Sequence, residues 1–200
     1  MQRRTQAERS QGTQAKLAQA AYAVIAARGH TALRIAAVAE EAGVSQGALL
    51  HHFPDKNALV KAAIHHALAL AGADSEKTLA KAPTDRAELL RAMIADLRAF
   101  FFGDHFWVAL GITLDASRNP ELAAEIGEDV GELRKPIYAA WGAKLVAAGW
   151  PADRADEMVR SAAALISGLA VRKLWAPHDA ISDRLIEDWQ AAALAQARPF

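Results

Sequence analysis

Cysteine is absent from this chain of 200 residues. Disulfides, thiolate metal ligands and cysteine nucleophiles are thereby excluded, and a reducing, cytoplasmic setting suits such a chain. No uninterrupted apolar run approaches the roughly 18 residues that suggest a membrane span, so no membrane partner is expected. The first residues, MQRRTQAERSQ, are polar and lack the apolar core of a secretory signal. Valine, isoleucine and threonine, which strands favour, are sparse beside alanine, and no long stretch alternates apolar with polar residues. HExxH and phosphate-cradling glycine loops are missing too. The pairs His51-His52 and His65-His66 are adjacent, and adjacent residues on a helix point in different directions, not at one metal ion. No enzyme, metal or cofactor is expected.

What is abundant is alanine, the best helix former, within an apolar share of 52%. The expectation is an all-α fold of about nine helices with an ample core. Net charge is zero, yet it is unevenly spread. Residues 1–70 hold eight basic side chains (Arg3, Arg4, Arg9, Lys16, Arg28, Arg34, Lys56, Lys61) against four acidic ones (Glu8, Glu40, Glu41, Asp55). The other 130 residues carry the opposite excess, 15 basic against 19 acidic. A basic head on an acidic body is a split that phosphate binding can use.

Apolar spacing at three and four residues places helices over 13–28, 34–42, 46–52, 55–73, 86–102, 105–117, 121–148, 152–175 and 180–197. Gly29, Gly43, Gly103 and Gly149 punctuate them, and Pro136 should kink or divide the seventh. The informative stretch is Arg34 to Lys56, RIAAVAEEAGVSQGALLHHFPDK. Two short helices flank the tight turn Ala42-Gly43-Val44-Ser45, where glycine permits a sharp helix-to-helix bend. Val44 can plug the corner. Ser45 is a natural N-cap for the next helix, and Asp55 for the fourth. The helix after Ser45 opens with Gly47 and Ala48, small enough to let its backbone approach DNA. Val38, Leu49 and Phe53 are suited to pack the pair onto the first helix.

This stretch resembles the tetracycline-repressor (TetR) family of regulators. The resemblance rests on Val38-Ala39-Glu40-Glu41-Ala42-Gly43-Val44-Ser45, then Gly47-Ala48-Leu49, then His52-Phe53-Pro54-Asp55-Lys56. It covers the N-terminal fifty or so residues; beyond them only the architecture and short echoes such as Arg118-Asn119-Pro120-Glu121-Leu122 agree. The resemblance implies a helix-turn-helix DNA-binding domain at 1–54, a connecting helix at 55–73, and an effector-binding and dimerisation domain at 74–200. It implies that Ser45, Gln46, Gly47 and Ala48 open the recognition helix, with Gln46, Gly47 and Ala48 at base edges. His51 and His52 would lie near the DNA backbone, and Lys56 would reach a phosphate beside a helix N-terminus. Two departures stand out. Leu50 replaces a customary tyrosine and cannot bond a phosphate. Leu33-Arg34 replaces the usual Thr or Ser cap of the second helix, although Arg34 could contact a phosphate directly. Leu50 reads as core or interface packing, His52 equally as structural, and the Arg3, Arg4 and Arg9 arm as a solvated tail or a groove contact.

The resemblance further implies a homodimer reading two half-sites. Leu165, Leu169, Leu174, Leu185 and Trp189 are the candidate interface residues, with packing inside one subunit as the competing role. Aromatic residues gather in the C-terminal part. Phe101, Phe106, Trp107, Trp141 and Trp175, with His105 and Asp115, are candidates to line an effector pocket, and Arg118 and Arg134 are further polar groups nearby. For each, core packing is the competing role. The expected function is that of a repressor released from a palindromic double-stranded operator by a small apolar or aromatic effector. An activator, or a helix-turn-helix protein working through a protein partner, is the second reading; a small helical enzyme is the third.

Overall fold

The computed structural model describes residues 6–177 and 181–195. Among them the chain forms α1 (Gln6–Arg28), α2 (Ile35–Ala42), α3 (Gln46–His52), α4 (Lys56–Ala80), α5 (Arg86–Phe101), α6 (Asp104–Ala116), α7 (Pro120–Ala147), α8 (Ala152–Arg172) and α9 (Ile181–Ala195), with a 3-10 turn at His30–Ala32 and no strand. The all-α expectation holds. Helix ends fall where local chemistry puts them. The Asp85 carboxylate accepts the Glu88 N–H at 3.0 Å to start α5. Asn119 accepts from Leu122 at 3.3 Å to start α7, whose first residue is Pro120, a position with no N–H to waste. At Gly103 a Cβ would lie 2.6 Å from the Ala99 carbonyl oxygen, so the close turn that ends α5 needs glycine there.

Two differences from the periodicity are instructive. Helix α4 runs on to Ala80 instead of stopping near residue 73. The mostly polar segment 74–80 stays helical with Ser75 and Leu79 buried. Helix α7 is also not divided by Pro136. Proline costs one ladder bond and a clash, and a 28-residue helix with Ile126, Ile137, Trp141 and Leu145 buried along it absorbs that loss.

The chain folds into two compact units, each made of two segments: residues 1–70 with 104–133, and residues 71–103 with 134–200. These units do not follow the chain in the simple order of a head and then a body, because α6 and the start of α7 pack with the N-terminal helices. In the first unit Leu17, Val24, Val38, Leu49, Leu59, Ile64 and Ile112 form the core. Each such side chain contributes about 1.5–3 kcal/mol when fully buried. The His30 Nε2 lies 3.6 Å from the Asp115 carboxylate, and Lys61 pairs with Glu125 at 2.7 Å. In the second unit α5, α8 and α9 pack together around Leu90, Met93, Leu97, Trp141, Val159 and Ile166.

Candidate nucleic-acid interface

The interface is built on α2 and α3, which are short and owe their stability to packing, α2 on α1 and α3 on α2. Val38 and Leu49, both 0% exposed, are the anchors. Gly43 sits at φ 63°, ψ 41°, the left-handed conformation that L side chains adopt only at a cost. There the Val44 N–H donates to the Ala39 carbonyl at 2.9 Å and closes α2. Ser45 follows in extended conformation, and its hydroxyl accepts the Ala48 N–H at 3.1 Å. The Gly43 turn and the Ser45 side-chain cap therefore aim α3 together.

The turn leaves the opening of α3 bare. Ser45, Gln46, Gly47 and Ala48 are all exposed, directly preceding the buried Leu49. Of the α3 N–H groups that have no partner within the helix, Ser45 satisfies one, and the others lie at the positive end of a helix dipole beside two nearly side-chain-free residues. His51 is exposed and His52 half-buried, their rings 5.3 Å apart edge to face. Leu50 is 41% exposed, so it is not core packing within its own unit. Arg34 stands at the N-cap of α2 with no side-chain cap bond, and its side chain is exposed. Asp55 caps α4 by accepting the Ala58 N–H at 2.8 Å, which places the exposed Lys56 at the first position of that helix. The Arg3, Arg4 and Arg9 side chains lie outside the described residues.

A small exposed helix opening, a left-handed glycine turn and flanking basic groups make up a surface able to enter a groove of duplex DNA. The family description "Bacterial regulatory proteins, tetR family" matches residues 17–63, which span α1, α2, α3 and the start of α4. The HTH-type transcriptional regulator CymR of Pseudomonas putida is 37% identical over 174 residues, covering 86% of this chain and 85% of CymR. This chain belongs to the TetR family. Two solved structures share its fold. A TetR-family transcriptional regulator from Mesorhizobium loti superposes with a TM-score of 0.75 at 18% identity, over 94% of this chain and 97% of that one. A transcriptional regulator from Saccharomonospora viridis in complex with choline does so at 0.70 and 20% identity, over 95% and 100%. It follows that this TetR-family chain is a DNA-binding transcriptional regulator.

The candidate effector residues of this TetR-family chain divide between its two units. In the first, Tyr22 on α1 and the His105 Nδ1 on α6 are hydrogen-bonded at 3.0 Å, and the Tyr22 ring also lies 5.6 Å from His66 on α4. Burial, then repulsion from His105, lowers the pKa of His66; burial, then the Asp104 charge, raises that of Tyr22. Phe106 and Trp107 are half-buried with rings 5.5 Å apart, and Asp115 faces His30. In the second unit Phe101 is buried, Trp141 is fully enclosed with its Nε1 donating to Asp96 at 2.8 Å, and Trp175 is 69% exposed. Of the interface candidates, Leu169 is buried in its own unit, Leu165 and Trp189 are half-buried, and Leu174 and Leu185 are exposed. The Trp189 indole donates to the Ser161 hydroxyl at 3.2 Å.

Sequence reading missed an open depression of about 720 Å³ on the first unit, lined by Gln14, Phe53, Asp55, Lys61, His65 and Glu125 among others. No local pattern could have found it, since three helices distant in sequence supply its walls. Among the described residues no helix is long and apolar enough to cross a membrane.

Proposed function

We propose that this TetR-family regulator is a cytoplasmic homodimeric repressor that leaves a palindromic operator when a small apolar or aromatic molecule binds its C-terminal helices. The observation that carries the DNA-binding half is the open first turn of α3: Gln46, Gly47 and Ala48 are exposed on a helix fixed by the Ser45 cap and the buried Leu49. In this reading Gln46 touches a base edge, Gly47 and Ala48 permit close approach, and Arg34, His51, His52 and Lys56 hold phosphates. The dimer is supported by the exposed Leu174, Ile181, Leu185 and Leu194, apolar side chains at and beyond the end of α8 and along α9 that a second copy would cover. The choline held by the Saccharomonospora viridis protein supports a fold that accommodates a small molecule. Effector binding acts by differential affinity for a conformer whose two recognition helices are wrongly spaced, a coupling of about 1–3 kcal/mol.

The test is a mobility-shift assay with fragments of the protein's own genome, repeated across a salt series. Specific binding that weakens steeply with salt is expected. Gln46→Ala should cost about tenfold in affinity for the operator and relax specificity at one base pair. Lys56→Ala should weaken binding to all sequences alike and reduce the salt slope by about one. Retention of no fragment at any salt concentration would overturn the reading.

A further inference from the structure

Arg134, on α7 within the second unit, is 5% exposed, yet its Nε, Nη1 and Nη2 atoms have no hydrogen-bond partner among the described residues. A guanidinium remains charged. Burying such a group without a counter-charge destabilises a fold, and buried donors are ordinarily satisfied. Partial compensation comes from two rings: the guanidinium carbon lies 4.0 Å from the centre of Phe100 and 5.3 Å from that of Tyr138. A ring face attracts the charge but offers no lone pair to the N–H groups. The helix supplies no acid either, since positions three and four away are Val130, Gly131, Ile137 and Tyr138. Asp96, the buried acid of the same unit, accepts the Trp141 N–H and no hydrogen bond from Arg134. A planar charged fork thus sits among aromatic side chains with no hydrogen-bonding complement among the described residues.

We propose that Arg134 is the anchor for a carboxylate-bearing effector, taking the carboxylate through paired N–H bonds while the apolar body of the ligand lies among the surrounding rings. The proposal deepens the effector-controlled reading above and rests on it for its regulatory meaning. A carboxylate matches the guanidinium in charge and in its two-pronged geometry. A phosphate dianion would have only half its charge met by this one buried cation. A cation such as choline would be repelled, and an uncharged ligand would leave the guanidinium as it stands.

The experiment uses the full-length chain. Thermal melts are recorded against rising benzoate, phenylacetate and octanoate, against the amide of each, and against inorganic phosphate, for the wild type and Arg134→Met. At least one carboxylate should raise the melting temperature, with its amide about tenfold weaker or worse. Arg134→Met should melt no lower than the wild type without ligand, because it removes an unpaired buried charge, and should lose the carboxylate response. The proposal is overturned if no carboxylate protects, if amide or phosphate protects equally, if Arg134→Met still responds, or if that variant melts well below the wild type. A parallel mobility-shift assay separates the two readings. Loss of all DNA binding by the wild type would remove the regulator, and the melts would still decide the carboxylate site.

Discussion

Ser45 holds two positions at once, as the end of the turn after Gly43 and as the cap of α3, with its hydroxyl 3.1 Å from the Ala48 N–H. Ser45→Ala removes that acceptor and should cost about 1 kcal/mol, lowering the melting temperature by about 2–4 °C for a chain of this size. Calorimetry checks the stability, and a mobility shift should register a larger fractional loss, because the frayed turn is the one proposed above to face DNA. This residue was legible in the sequence: a serine after Ala-Gly-Val and before a short apolar helix has few other uses. His105 was not. The sequence groups it with the aromatic side chains around it, but its hydrogen-bond partner is Tyr22, 83 residues earlier, a pairing that no local pattern encodes. For Arg134 the sequence shows only a polar group near aromatic residues. Its burial depends on how α7 meets α5, and charge alone suggests an exposed side chain.

Between elements, the Trp141–Asp96 hydrogen bond joins α7 to α5 inside the second unit, both partners buried. Trp141→Phe keeps most of the ring but leaves the carboxylate without its donor, so the cost should be about 1–3 kcal/mol plus a small cavity loss. The double variant with Asp96→Leu should recover part of it, and urea melts of the single and double variants measure the coupling. Helices were readable wherever one face is apolar at helical spacing, as in α5 and α8. At α4 the apolar pattern runs out near residue 73, and the helix continues over a polar stretch because tertiary burial of Ser75 and Leu79 sustains it. The exposed surface at the C-terminal end was half legible in the same way. Leu169 and Leu185 look alike in sequence, yet one fills its own unit and the other faces outward.

For the molecule as a whole, acid is the informative variable. Burial and the neighbouring His105 lower the pKa of His66 in the folded chain, so the unfolded chain, near 6.5, takes up its proton first. Stability from this group is complete above the unfolded value and drains away as the pH falls below it, through the lower folded value. The urea midpoint should therefore drop between pH 7.5 and 5.5, and the drop should shrink in His66→Gln; an equal drop in both would discard this group as the cause. The first unit draws α6 and the start of α7 from beyond residue 103, and they supply Val108, Ile112 and Ile126 to its core. The compact unit that holds the second and third helices is therefore not one continuous stretch of the chain. Cutting after the fourth helix would strip the first helix of a neighbour and leave a greasy flank open to water. Anyone grafting this reader onto another sensor would have to splice in two places, carrying the later stretch along with the earlier one.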